Sequence, residues 1–169
     1  VEEFFKDFDR LKVKRAERYV KVTDHIADII AVIQKLVEKG CAYTSNGEVY
    51  FDTTRCYPYG SLLGGPVEDF MVLENVPMSP KKHSALDFAL WKKSKAGEPV
   101  WDSPWGKGRP GWHIECSAMS LKYLGPTLDI HGGGMDLIFP HHESEIMQSE
   151  GYTGKPFANY WLHNGFVTT

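Results

Sequence analysis

The sequence has no apolar run approaching the ~18 residues that a membrane-crossing helix needs. It also has no charged-then-apolar leader segment. Both absences point to a soluble, cytoplasmic protein with no membrane partner. Charge of one sign is scarce too: the net charge is −3, so no broad basic field advertises nucleic acid. An RNA gripped locally is still compatible with that balance. Cysteine is sparse, with Cys41, Cys56 and Cys116 alone. An odd count without regular spacing argues against a disulfide framework and for a reducing compartment. Internal repeats are absent. The 169 residues, 42% hydrophobic and 24% charged, have globular composition and suffice for one ordinary domain or one and a half small ones. The chain opens at Val1 already in a helical pattern (Val1, Phe4, Phe5, Phe8) and stops just after Gly165-Phe166-Val167, which reads as a strand. Both ends suggest a piece of a longer polypeptide.

The punctuation of the chain predicts its elements. Residues 1–12 read as the last turns of an amphipathic helix. A second helix runs from about Asp24 to Lys39, with Thr23 or Asp24 as cap and Gly40 as stop. Ile26, Ile29, Ile30, Ile33, Leu36 and Val37 form one stripe at helical spacing, the signature of core packing. Ala42-Tyr43-Thr44 and Glu48-Val49-Tyr50-Phe51 flank Asn46-Gly47, a favoured type I′ pair, and predict a β-hairpin. From Thr53 to about Ser84, Gly, Pro and Ser with weak periodicity predict a long, loosely structured connection. Phe88-Ala89-Leu90-Trp91 suits a buried strand, and Lys95–Pro110 an ordered surface loop. Trp112–Tyr123 reads as a helix ended by Gly125-Pro126. Leu128-Asp129-Ile130 is a short strand running into a glycine turn. A helix from Pro140 to about Glu150 and strand material at Tyr160–His163 and Phe166-Val167 complete the chain. Strand, helix, strand, helix, strand is the pattern of a parallel α/β sheet.

Chemistry concentrates between Arg109 and Glu145. His141 and Glu145 are spaced i, i+4 and face one side of a helix. Cys116 would reach them from the preceding helix, and the three are ligand types that zinc accepts. The adjacent His142 cannot be told from His141 by spacing. Neither Cys41 nor Cys56 is an obvious fourth ligand. The alternative is a buried Cys116 beside a solvated His-Glu pair, since an isolated cysteine often behaves as a small buried hydrophobe. Asp129-Ile130-His131-Gly132-Gly133-Gly134-Met135-Asp136 follows a strand and precedes a helix. Gly132, Gly133 and Gly134 would let a nucleotide approach the backbone and would allow positive φ, and Asp136 would accept from ribose hydroxyls. A tight turn without a ligand fits the same residues. Trp112 and His113 flank the thiol; an indole can wall a small pocket, and a core Trp is the plainer reading. His25 fits a local polar partner, His83 a solvated loop, and Lys81-Lys82 and Lys92-Lys93 wet surface, with only a weak signal for RNA phosphate.

Three stretches carry a resemblance: 108–119 (Gly-Arg-Pro-Gly-Trp-His-Ile-Glu-Cys-Ser-Ala-Met), 131–137 (His-Gly-Gly-Gly-Met-Asp-Leu) and 139–145 (Phe-Pro-His-His-Glu-Ser-Glu). With Asp87–Lys92, Gly97-Glu98-Pro99 and Asn159–Gly165, they resemble the cysteinyl-tRNA synthetases, a class I aminoacyl-tRNA synthetase family. The likeness covers nearly all of 87–169, is looser over 1–55 and is weakest over 56–84. The prolines usual before the second helix give way to Val13–Val22.

The resemblance implies an α/β fold: the second half of a Rossmann-type nucleotide-binding catalytic domain at 87–169, and an inserted α+β connective region at 1–86. It implies one zinc ion on Cys116, His141 and Glu145, with a further cysteine from a first half. It implies Trp112, His131 and His113 at the amino acid, and Gly134, Asp136 and the backbone near Val167 at the adenosine. L-cysteine, ATP with magnesium, and tRNA(Cys) are the implied partners. The family's His-Ile-Gly-His and Lys-Met-Ser-Lys-Ser segments do not occur in these residues. No catalytic residue is therefore assigned here, and the piece alone is expected to be inactive. A mycothiol-pathway ligase joining cysteine to an amino sugar shares several of these residues, although the His-His-Glu-Ser-Glu run leans toward the synthetase. A non-catalytic zinc-stabilised module and a metal-free structural domain are the rivals of other classes.

Overall fold

The computed structural model describes residues 1–56, 58–66 and 79–166. The stretch 67–78, inside the expected loose connection, and Val167 lie outside the described residues. The elements run α1 (Glu2–Arg10), α2 (Ile26–Glu38), β1 (Ala42–Ser45), β2 (Glu48–Phe51), β3 (Phe88–Lys92) and β4 (Arg109–Pro110). Then come α3 (Trp112–Leu124), β5 (Leu128–Gly134), α4 (Glu143–Thr153) and β6 (Ala158–Asn164).

The apolar stripe of α2 does what its spacing predicts. Ile26, Ile29, Ile33 and Leu36 are buried, joined by Val32, which lay outside the predicted stripe, while Ile30 and Val37 are only partly buried against the core; the helix stops where Gly40 takes φ +74°. The expected cap is different: Val22–Asp24 form a 3-10 turn, and His25 occupies the cap position without a side-chain cap bond. His25 instead donates from Nδ1 to the Lys21 carbonyl at 2.8 Å and lies 2.6 Å from the Tyr123 hydroxyl. The hairpin forms as expected. Asn46 (φ +53°) and Gly47 (φ +75°) make the left-handed turn, and β1 pairs with β2 from Ala42–Phe51 to Ser45–Glu48.

The sheet topology departs from the parallel pattern. β1, β2, β3 and β4 form one antiparallel sheet in that order, with Tyr50 opposite Ala89 and Trp91 opposite Pro110. Among the described residues only β5 and β6 pair in parallel, as a separate two-stranded sheet. The β-prone run at 88–91 is a strand as predicted, but an apolar run does not encode which edge it joins. Here the open edge of β2 takes it. Asp87 fixes the junction: its buried carboxylate accepts from Thr53 N and Oγ1, Tyr43 Oη, His83 N and Ser84 N.

The cysteine reading also changes. Cys41 and Cys56 form a disulfide with Cα atoms 5.5 Å apart. Sequence counting could not anticipate this, because the chain returns past β1 only after β2 ends; Asp52 N donates to Cys41 O at 2.9 Å. Cys116 is the free thiol. The glycine segment is not a turn: β5 runs through Gly134, and Gly132, Gly133 and Gly134 pair with Leu162, His163 and Asn164. None of the three has positive φ. β6 ends at Asn164, so Phe166 is outside any strand.

The main core gathers α2, the antiparallel sheet, Ile114 and Ala118 of α3 and Met147 of α4. A smaller cluster of Leu128, Ile146 and Phe157 seats the β5–β6 pair. No helix among the described residues is long and apolar enough to cross a membrane.

Candidate metal and nucleotide site

Three elements bring the chemistry together. Cys116 stands on the second turn of α3 and Glu145 on the first turn of α4. His141 lies in the wider π-type turn Ile138–His142 that leads into α4, a turn interrupted by extended Phe139. The expected helix from Pro140 is therefore regular only from Glu143, yet the i, i+4 pair still shares one side. The ligand atoms of Cys116, His141 and Glu145 all lie within 4.8 Å of one another. His131, His142 and Glu145 make a second such group. The two share Glu145, whose side chain is fully buried.

The polar bonds around this centre are incomplete at one atom. Glu145 Oε2 faces His131 Nε2 at 2.8 Å. Glu145 Oε1 is buried with no hydrogen-bond partner; His141 Nε2 lies 3.8 Å away. His141 Nδ1 meets His113 Nδ1 at 2.8 Å, so one ring donates and the other accepts. When His141 donates, its Nε2 keeps a lone pair turned toward Cys116 and Glu145. His142 Nδ1 pairs with His163 Nε2 at 2.7 Å.

Electrostatics favour a cation at this point. Burial, then the neighbouring His141, pushes His113 down to about 3. Burial, then His131, pushes His142 down to about 3. Burial also lowers His141, against the opposing pull of Glu145. Shifted downward, these imidazoles favour the neutral form, which offers lone pairs. Burial, then Glu145 and Glu115, raises the Cys116 thiol to about 12. A divalent ion would reverse that last shift, because a coordinating thiol gives up its proton. An unsatisfied buried carboxylate oxygen beside a thiol and a neutral imidazole is a donor set that fits zinc.

Around this centre a cavity of about 800 Å³ opens, lined by Arg18, Cys116, Tyr123, His131, His141 and Glu145 among others. Trp112 is not a core residue. It is 56% exposed, and its indole lies 4.4 Å from the His141 ring. Gly132 lines this cavity, and Gly133 follows it along β5. A Cβ on Gly133 would sit 2.8 Å from His142 Cε1, so bare backbone is required there. A Cβ on Gly134 would collide with Asp136 Oδ1, which places the Asp136 carboxylate over the end of the strand. Asp136 itself lies in the 3-10 turn Met135–Leu137. The nucleotide expectation at Val167 falls outside the described residues. His25 and His83 stay apart from the site, His83 stacking on Tyr43 at 3.7 Å.

Two contributors escaped the sequence reading. His163 completes the imidazole pair with His142; strand alternation from Trp161 was the available signal. Glu143, fully buried, accepts from the Gly60 and Ser61 amides at 3.0 Å each and from the Leu62 amide. It pins the 58–66 loop to the first turn of α4. Nothing in a run of acidic and histidine residues marks which carboxylate turns inward.

Against known proteins, the model of the tRNA synthetases class I (C) catalytic domain matches residues 1–169. The cysteine–tRNA ligase of Pelotomaculum thermopropionicum is 60% identical over 166 residues, covering 98% of this chain and 34% of that protein. The cysteine–tRNA ligase of Carboxydothermus hydrogenoformans is 61% identical over 166 residues, 98% of this chain and 36% of its own. That of Aquifex aeolicus is 58% identical over 165 residues, 98% and 33%. The chain thus spans about a third of the length of these curated relatives.

Proposed function

The chain belongs to the catalytic-domain family of the class I tRNA synthetases of the cysteine type, and from that premise we propose that the full-length protein is a cysteine–tRNA ligase. It activates L-cysteine with ATP and magnesium in the cytoplasm and passes the cysteinyl group to tRNA(Cys). The α-carboxylate of cysteine attacks the α-phosphate of ATP, releasing pyrophosphate. A terminal ribose hydroxyl of the tRNA then displaces the nucleotide. Residues 87–169 serve as the second half of a Rossmann-type nucleotide fold, with 1–86 as the inserted region. Because the chain spans about a third of its relatives, the reaction is proposed for the full-length protein, and this portion alone is expected to be inactive.

One observation carries the reading: Glu145 Oε1, buried without a donor, in a ligand cluster with Cys116 and His141. We assign these three residues to one zinc ion, with a further protein ligand from beyond this chain. Zinc held there supplies a soft Lewis acid that accepts a thiolate and discriminates against the hydroxyl of serine. The chain's own groups do the rest. His113 orients the His141 ring through the Nδ1 contact. Trp112 walls the side-chain pocket, and His131, held by Glu145, presents its ring to the amino acid. The unadorned backbone of Gly132–Gly134 lets the adenosine lie against β5, and Asp136 accepts from its ribose.

The test is metal content and cysteine-dependent ATP–pyrophosphate exchange in the full-length protein. One zinc per chain is expected, lost in Cys116→Ser, with exchange supported by cysteine and not serine. A metal-free protein with full exchange would defeat the zinc assignment. Absence of exchange, with ligation of cysteine to an amino sugar, would replace the tRNA ligase by the sugar-ligase reading.

A further inference from the structure

Cys41 and Cys56, 15 residues apart in sequence, are joined across the open end of the β1–β2 hairpin. The hairpin does not need the bond. Its strands pair from Ala42–Phe51 to Ser45–Glu48, and the Asp52 amide donates to the Cys41 carbonyl at 2.9 Å. What the bond holds is the chain beyond Cys56. Tyr59 packs its ring against Phe88 and Phe139 and sets its hydroxyl 3.5 Å from Ser144 Oγ. The Gly60 and Ser61 amides donate to Glu143 Oε2 at 3.0 Å each, and the Leu62 amide donates to Oε1. The loop is thus tied twice, covalently at Cys56 and through Glu143 at 60–62.

The second tie lies inside the candidate metal cluster. Glu143 is fully buried and stands between His142 and Glu145 in the chain. Phe139, whose ring meets Tyr59, belongs to the turn that carries His141. A buried carboxylate stripped of its donors is costly, so a loop that leaves Glu143 makes the first turn of α4 rearrange. The state of the Cys41–Cys56 bond therefore reaches His141 and Glu145 through packed and hydrogen-bonded neighbours. The two sulfurs also differ in access. Cys41 is 3% exposed, and its Sγ faces α4, 3.5 Å from where a Cβ on Gly151 would stand. Cys56 is only partly buried, so a thiolate from solvent meets its sulfur first. In a reducing compartment a disulfide is usually transient or redox-sensing.

We propose that Cys41–Cys56 is a thiol-responsive site: a dithiol protein opens it, and opening frees the loop at 60–62 from Glu143 and loosens the metal cluster. One thiolate of the dithiol attacks Cys56 Sγ, the S–S bond breaks, and Cys41 leaves as a thiolate that takes up a proton. The second thiolate of the dithiol then attacks the first at the mixed disulfide and expels Cys56, which is protonated in turn. Two electrons pass to the chain, and the dithiol becomes a disulfide. The loosening of the metal cluster rests on the zinc reading; the response of the loop does not.

The experiment uses the full-length protein, oxidised or treated with a dithiol. Alkylation of Cys56 reads the bond, and amide hydrogen exchange reads the loop. In dithiol, Cys56 is expected to become alkylated and the amides of 60–62 to exchange on the order of tenfold faster, while those of Ile29 and Ile33 in α2 keep their rates. Zinc release to a chelator is expected to quicken on the order of tenfold, measured with a trialkylphosphine as reductant so that no added thiol competes for metal. Cys56→Ala is expected to show the opened behaviour without reductant and to gain nothing from it. Cys41→Ala/Cys56→Ala repeats the comparison should the lone Cys41 thiol form other bonds. A bond that does not form in the oxidised protein, or that stays closed in dithiol, would overturn the site. So would unchanged exchange at 60–62, or equal acceleration in α2, the mark of a simple staple. Unchanged zinc release beside faster loop exchange would overturn the coupling to the cluster. If the wild type holds no zinc yet its loop answers to dithiol, the zinc reading fails and the thiol-responsive site stands.

Discussion

The two halves of the interior are built from opposite materials. Around α2 and the antiparallel sheet, buried positions are apolar: Ile29, Ile33, Leu36, Val49, Phe51, Leu90 and Trp91. Around the first turn of α4, consecutive buried positions are His141, His142, Glu143, Ser144 and Glu145, with Gln148 and Ser149 one turn on. The first arrangement gains free energy from burial, about 1.5–3 kcal/mol for each large apolar side chain. The second gains nothing by burial and must satisfy each polar atom separately. It leaves Glu145 Oε1, Gln148 Nε2 and Ser149 Oγ without partners. One region carries the stability and the other holds the candidate metal cluster.

Substitutions should separate the two. Phe51→Ala, in the apolar half, should cost ~3–5 kcal/mol in denaturant unfolding of the metal-free chain and leave the metal affinity of the folded fraction unaltered. Cys116→Ser should do the reverse. Zinc affinity, measured by chelator competition, should fall on the order of 100-fold, while metal-free stability changes by less than about 1 kcal/mol. If Phe51→Ala lost the metal as strongly as Cys116→Ser, the division of labour would be wrong.

The polar half should also govern the pH profile of the metal-free chain. His113 and His142 sit at about 3 when folded against an ordinary 6.5, so the unfolded chain binds more protons below 6.5. Their contribution is complete above 6.5 and is lost as pH falls toward 3. Cys116 moves from 9.0 to about 12, so unfolding releases its proton above 9 and stability declines from there upward. Thermal melts should therefore plateau between about 6.5 and 9. His142→Phe should flatten the acid limb, and an unaltered limb would remove His142 from the account. Gly47→Ala should cost about 1–2 kcal/mol in the same melts, from φ +75° and a Cβ 3.2 Å from the Trp105 carbonyl.

Legibility from sequence followed the same divide. The α2 stripe, the Asn46-Gly47 hairpin and α3 were readable because each is set by spacing within a few residues. Sheet order was not. Whether 88–92 joins a parallel or an antiparallel sheet depends on which edge is open, and only the folded hairpin supplies that edge. The Cys41–Cys56 bond was hidden for the same reason, since partners 15 residues apart meet only after the hairpin closes. At the site, the i, i+4 spacing indicated that His141 and Glu145 share a side, and the structure sets Cys116 beside them. The mates of His141, His142 and Glu143 lie 21 to 83 residues away in sequence, beyond any local pattern. The three glycines misled in one respect: they suggested a loop because glycine often breaks strands, yet here they continue one.

That strand has a further meaning. Three successive residues of β5 contribute only main chain, and across from Gly133 the imidazole of His142 occupies the space that a methyl group would need. The close approach of ring and strand here therefore depends on a side chain being left out. Enlarging Gly133 by a single carbon would push the neighbouring ring out of line before it touched any visitor, so the vacancy and the histidine have to be inherited together.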